Sequence, residues 1–164
     1  MAKIGEPREL FAHKLGAAYT MEKTVLEMLK TNEQEARDSE LKNRFSHHHD
    51  ETVRQVENIE RAFEALGQEA EGQACPVIDG LKKEAEHMLR TVEDPLVDNV
   101  LAGGATEVEH HEIAVYNGLI TKADAIGEDD VVALLRENLE QEEHTLRELE
   151  DKATQLARSV AQRA

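Results

Sequence analysis

Tryptophan is absent from this chain of 164 residues, which holds only three phenylalanines and two tyrosines. Aromatic and β-branched runs are what a sheet protein is built from. Their scarcity beside abundant Ala, Leu, Glu and Gln points to an all-helical protein. A single cysteine, Cys75, cannot close an internal disulfide, which fits a reducing cytosol. No apolar run approaches the ~20 residues a membrane span needs. The opening MAKIGEPRELF carries no secretory core, so a soluble, cytoplasmic protein without membrane contact is expected. Basic residues are also short, 19 against 35 acidic, for a formal net charge of -16. Such a surface repels phosphate backbones, which argues against nucleic acid as a direct partner, and draws cations towards it.

Charged residues make up 33% and the hydrophobic set 40%, enough for one domain over residues 1–164 with a substantial core. The three prolines, Pro7, Pro76 and Pro95, stand where helices open. A first helix from Pro7 to about Asn32 places Phe11, Leu15, Ala18, Val25 and Leu29 on one stripe. A second, capped by Ser39 and stopped by Gly67, carries Leu41, Phe45, His48, Thr52, Gln55, Ile59, Ala62 and Leu66. After a loop at Gln68–Gln73, a shorter helix from Pro76 to about Arg90 has Ile78, Leu81, Ala85, Met88 and Leu89 on its apolar side. It reads as a crossover element that lets the next long helix run in a direction a tight turn would forbid. That third long helix opens at Asp94-Pro95 and runs to Ile126 before Gly127, with a kink or close backbone approach expected at Gly103-Gly104. The fourth begins at Glu128-Asp129-Asp130, with Leu135, Leu139, Leu146, Leu149, Ala153 and Leu156 as its stripe and a tail that frays beyond Ala157. The bundle so defined spans about residues 7–158.

Each long stripe is interrupted near mid-length by an acid. Glu22 fills the gap in the first and Glu142 that in the fourth. Glu51 flanks the polar middle of the second, beside His48. In the third, Val108–Tyr116 reads VEHHEIAVY and sets Glu109 and Glu112 one turn apart on the face that continues through Tyr116 and Leu119. Midpoints of antiparallel neighbours lie at one height, so these acids should meet in one layer. Unpaired carboxylates in a core cost several kcal/mol each or more. Either a helix rotation is misread, or cations offset the charge. A misreading on four helices at the same height is much the weaker explanation. Oxygen-rich coordination with an imidazole suits two divalent ions, Fe first, with Mn or Zn also fitting. The usual Glu-x-x-His of such bundles is incomplete. His48-x-x-Glu51 has the reverse order, Glu107-x-x-His110 faces away from the main stripe, and Glu84-x-x-His87 lies on the crossover helix. His48 is as readily a hydrogen-bonded core histidine as a ligand; His110 and Glu84 are secondary candidates.

The segments Tyr19-Thr-Met-Glu-Lys23, His48-x-x-Glu51-Thr52, Val108-Glu-His-His-Glu-Ile113 with Tyr116, and Leu139-x-x-Glu142 stand in order. With Cys75 and Gly80-Leu81-x-x-Glu84 they resemble the YciE/YciF-like family of bacterial stress proteins, over about Leu10 to Ala153. The resemblance implies a ferritin-like antiparallel four-helix bundle with a short extra crossover helix, often dimeric, linked to stress responses, with a di-metal centre and no assigned reaction. Glu22, Glu51, Glu109, His110, Glu112 and Glu142 match family positions. His111 replaces the Tyr common at its place, which bears on hydrogen bonding around the ligands rather than on metal binding.

The function expected is a di-metal carboxylate protein that oxidises Fe(II) or handles oxygen or peroxide, a ferroxidase- or peroxidase-like oxidoreductase working on a small-molecule oxidant as a homodimer. Glu51 and Glu112 are the candidate bridging ligands, with Glu22, His48, Glu109 and Glu142 terminal. The alternative is a non-catalytic dimeric bundle, structural or stress-related, whose site is empty or holds one stabilising ion. A histidine phosphotransfer bundle needs an exposed His followed by room for a docking partner, and the residues after His48 and His110 do not provide it. Nothing in the chain marks the contacts of a storage cage.

Overall fold

The computed structural model describes residues 3–162. Its five helices are α1 (Pro7–Glu35), α2 (Ser39–Ala65), α3 (Pro76–Thr91), α4 (Val97–Ala125) and α5 (Asp129–Ala161), and no strand occurs among the described residues. Links between facing helices show their directions. Glu22 meets Tyr116, and Arg37 just beyond α1 meets Asp98 on α4. Asn58 meets Asn138 and Arg44 meets Glu148 across α2 and α5; Tyr116 meets Asn138 and His110 meets Glu150 across α4 and α5. Residue numbers rise on one helix as they fall on its neighbour, so all these pairs are antiparallel. The short turn after α1 makes α2 antiparallel to it as well, with Tyr19 hydrogen-bonded to Glu60. Consequently α2 and α4 run parallel, and the chain between them must travel back along the bundle. Helix α3, whose 16 residues span about 24 Å, makes that return against α4 and α1. This is the ferritin-like four-helix arrangement with a crossover helix.

The crossover is seated by glycine. The Gln73 amide donates to the carbonyl of Gly16 at 3.0 Å, and a Cβ on Gly16 would come within 2.5 Å of the Glu71 carbonyl oxygen. Gly67 and Gly127, at φ 72° and 77°, lie just past the ends of α2 and α4, where glycine escapes the Cβ penalty of the left-handed region. At Gly103 and Gly104, by contrast, an added Cβ would meet nothing within 4 Å and the helix continues unbroken. The close approach expected there is absent; the actual one is at Gly16.

Boundaries moved slightly. Asp38 rather than Ser39 caps α2, accepting from the Leu41 amide at 2.9 Å. Asp94–Leu96 forms a single 3-10 turn before α4, and α5 stays helical to Ala161 instead of fraying after Ala157. The larger correction concerns the rotation of α5. Its buried positions include Leu135, Asn138, Glu142, Thr145, Leu149 and Lys152, while Leu139, Leu146, Ala153 and Leu156 are only half-buried. Lys152 is buried because its ammonium lies 2.9 Å from Asp38 and 2.8 Å from Glu40, tying the end of α5 to the start of α2.

The core follows the polar middle expected of it. Towards one end Phe11, Leu15, Ile59, Ala62, Leu119 and Leu135 are buried together; towards the other lie Val25, Leu29, Leu41, Phe45, Leu101 and Leu149. Between these apolar layers sit Glu22, His48, Thr52, Glu109, Glu112 and Glu142, every one buried.

Candidate metal centre

Four long helices each deliver side chains to the middle layer: Glu22 from α1, His48 from α2, Glu109 and Glu112 from α4, Glu142 from α5. The pair on α4 arises from i, i+3 spacing, which keeps both carboxylates on the buried face. His48, Glu109, Glu112 and Glu142 each place one donor atom within 4.8 Å of the others'. His48 Nε2 is 2.9 Å from Glu109 Oε1 and 3.8 Å from Glu142 Oε2. Despite that proximity, both nitrogens of His48 lack an aligned hydrogen-bond partner, as do both oxygens of Glu112 and of Glu142, Oε2 of Glu109 and Oε2 of Glu22. Buried polar atoms are nearly always paired, so this concentration of donor atoms in one layer demands an explanation.

One edge of the layer is hydrogen-bonded. The Tyr116 hydroxyl donates to Glu22 Oε1. Asn138 donates to the Tyr116 oxygen at 3.0 Å and to the Gln55 carbonyl at 3.2 Å, and Asn58 donates to Asn138 Oδ1 at 2.8 Å. These bonds hold Tyr116 and hence orient Glu22.

Burial dominates the electrostatics. It raises the Glu22 carboxyl to about 7, against the lowering effect of the Tyr116 hydrogen bond. Glu112 and Glu142 are pushed well above the usual carboxylate range, first by burial and then by the neighbouring carboxylates. Burial lowers His48, but the surrounding carboxylates, Glu109 first and then Glu51 and Glu142, together more than offset it and leave the imidazole well above its ordinary value. Burial, followed by the charge of Glu22, lifts the Tyr116 phenol.

The donor set fits metal ions. Bonds of 2.0–2.2 Å put the ligand atoms of a tetrahedral ion roughly 3.3–3.6 Å apart, so donors within 4.8 Å of one another would close in by up to about 1.5 Å around one ion. With Glu22, the layer holds four carboxylates and one imidazole. The mixed oxygen and nitrogen set suits Fe, Mn or Zn.

Other anticipated residues lie further out. Glu51 is half-buried, with its Oε2 3.5 Å from His47 Nδ1 and 3.9 Å from His48 Nδ1; it borders the cluster on the outer side of His48. The His48 imidazole beside it holds the Glu51 carboxyl below its usual value. His110 is exposed, 3.5 Å from Glu150, and Glu84 is exposed on α3; neither is brought to the layer. Asn138 and Asn58 were missed. Asn138 stands one turn before Glu142 on the same face, a spacing that could have flagged it.

Comparison with known proteins agrees with this architecture. Residues 6–162 match the family described as Domain of unknown function (DUF892). The chain belongs to that family. A curated relative, Protein YciF of Escherichia coli strain K12, is 32% identical over 147 residues, covering 88% of this chain and 89% of its own. The crystal structure of the E. coli stress protein YciF superposes with a TM-score of 0.89 at 29% identity, over 94% of this chain and 99% of that one. YcfI of Rhodopseudomonas palustris, described as a candidate structural protein, gives a TM-score of 0.88 at 33% identity, over 90% and 95% of the two chains. Family membership thus accounts for the bundle and for its crossover helix, and it carries no assigned reaction with it.

Proposed function

We propose that this protein is a stress-related di-metal carboxylate protein that holds two Fe or Mn ions in the middle of its bundle and oxidises Fe(II) or processes oxygen or peroxide. The observation that carries this reading is the set of unpartnered, fully buried donor atoms on His48, Glu109, Glu112, Glu142 and Glu22. The stress connection comes from the name of the E. coli relative.

His48, Glu109, Glu112 and Glu142 would hold one ion, and Glu22 with the remaining carboxylate oxygens the second. The bound pair would supply electron exchange with an oxidant. The chain's own contribution is positional and protic. Tyr116 holds Glu22 by its hydroxyl, leaving Oε2 free to face the layer. The apolar layers above and below keep bulk water from the carboxylates, which strengthens every charge interaction there. Burial raises the Glu22, Glu112 and Glu142 carboxyls, so cations loading the site would compete with protons for the same oxygens. Glu51, which neighbours the outer His47 and the buried His48, would be the carboxylate to approach a bound ion from the surface side. The homodimer belongs to the same proposal, with light scattering expected to return twice the chain mass.

Chelated protein titrated with Fe(II) or Mn(II), with bound metal counted by elemental analysis, should saturate at two ions per chain. Fe(II)-loaded protein should then consume oxygen or peroxide. Fewer than one ion per chain would overturn the proposal. A second reading is favoured by the Tyr116–Asn138–Asn58 hydrogen bonds and by the structural description of YcfI. In it the polar layer sets helix register around at most a single stabilising ion. One ion per chain with no oxygen uptake would support that role.

A further inference from the structure

A second feature lies one face round from the carboxylate layer, where α1 and α4 meet the start of α3. A cavity of about 350 Å³ opens there. Its floor is apolar, made of Ala18, Met21, Val115 and Leu119, and Cys75, Pro76 and Val77 form one wall. Lys14 and Lys122 line it as well, together with His111. No residue lining the cavity is Asp or Glu, although acids make up 35 of the 164 residues. On so acidic a molecule, a basic concavity free of carboxylates is a local reversal of the field. Among the described residues neither lysine is ion-paired; Lys122 Nζ donates only to the Gly118 carbonyl, at 3.1 Å. His111 Nε2 is buried without a hydrogen-bond partner. Val77, 55% exposed, leaves an apolar rim.

We propose that this cavity binds a small amphipathic carboxylate, with its apolar body on the Met21–Leu119 floor and its charged head between Lys14 and Lys122, within reach of His111. The volume is at the lower end of small-molecule pockets and suits a ligand of on the order of ten non-hydrogen atoms. An inorganic anion would leave the apolar floor wet. A monoanion is favoured over a dianion because the remainder of the molecule, at net charge -16, repels each added negative charge. Gly118 borders the cavity, and a Cβ there would touch only Lys122 Nζ, at 3.7 Å, so the backbone leaves this space open without steric need. The site is independent of the metal reading, since none of these groups is a proposed ligand.

Octanoate is the probe, with octanamide as its neutral counterpart and acetate as the head without the body, each titrated into the full chain by calorimetry. Octanoate should bind one per chain with a Kd of about 1 mM or tighter. Octanamide and acetate should each bind at least roughly tenfold more weakly, as loss of a charge-assisted contact or of apolar burial requires. The double variant Lys14→Ala with Lys122→Ala should weaken octanoate by a similar factor. Gly118→Leu, which fills the cavity from a helix that tolerates a side chain, should abolish binding while helicity and metal stoichiometry stay unchanged. Absence of saturable octanoate binding would overturn the proposal, as would equal binding by octanamide, by the double lysine variant or by Gly118→Leu.

Discussion

Tyr116 is the residue on which the carboxylate layer and the polar network meet, since its hydroxyl donates to Glu22 and accepts from Asn138. Removing that oxygen leaves a buried carboxylate and a buried amide each short of a partner. Tyr116→Phe should therefore destabilise the protein by about 1–3 kcal/mol in denaturant titrations. It should also loosen metal binding, because Glu22 loses its orientation. Glu112 should behave in the opposite way. It makes no hydrogen bond through either oxygen and faces three other carboxylates. Glu112→Gln should raise the stability of chelated protein by about 1 kcal/mol or more while lowering metal stoichiometry. Stability falling in that variant would mean the carboxylate is satisfied by something other than a cation. The acids themselves were legible in the sequence because each broke an apolar stripe at the same height. Asn138, although one turn before Glu142, was masked by the leucine beside it. On α5 the leucine-rich reading took 135, 139, 142, 146 and 149, whereas the buried line runs 135, 138, 142, 145 and 149. The two share three positions and differ by one edge of the same stripe, and a preference for Leu over Asn and Thr chose the wrong edge. Hydropathy marks what prefers to be buried, while a hydrogen-bonded Asn is buried because of partners on other helices.

At the scale of elements, the helices followed from period and punctuation. Pro76 and Pro95 at openings and Gly67 and Gly127 at closings fix the start of α3, both ends of α4 and the end of α2 to within a few residues. The parallel course of α2 and α4 was also legible, because a crossover helix is what such a course requires. What holds the crossover was not, since Gly16 looks like any mid-helix glycine until a second segment is placed against it. Gly16 lets the carbonyl of Glu71 and the side chain of Gln73 sit on α1. Gly16→Ala should gain helix propensity locally yet displace this loop, with a net loss of about 1–3 kcal/mol. Hydrogen exchange should show faster exchange of the Gln73 amide, which donates to the Gly16 carbonyl. A substitution that stabilised the protein, as Gly-to-Ala commonly does on an open helix face, would show that the loop gives way cheaply.

For the molecule as a whole, the buried acids make stability a function of pH. Glu22 titrates at about 7 in the folded chain against 4.5 for an exposed glutamate. Across that window the folded chain keeps a proton the unfolded chain has lost. The stability this contributes is complete below about pH 4.5 and disappears as pH rises through 7. Glu112, Glu142 and His48 are shifted upward too and add to the same trend. Asp38, held low by the Leu41 amide and then by Lys152, and Glu40, held low by Lys152, work in the opposite direction, but only below about pH 5, where carboxylates begin to protonate. Chelated protein should therefore melt at lower temperature at pH 8 than at pH 5. Saturating Mn(II) should reverse the order, because cations compete with protons for the same oxygens and bind better as pH rises. At metal concentrations a hundredfold above Kd the gain should be about 2.7 kcal/mol per site. Thermal melts at pH 5, 6, 7 and 8, with and without Mn(II), make the comparison. A metal-free melting temperature that climbs from pH 5 to pH 8 would mean that the layer carries its charge unaided, and the case for cations in the bundle would lose its electrostatic basis.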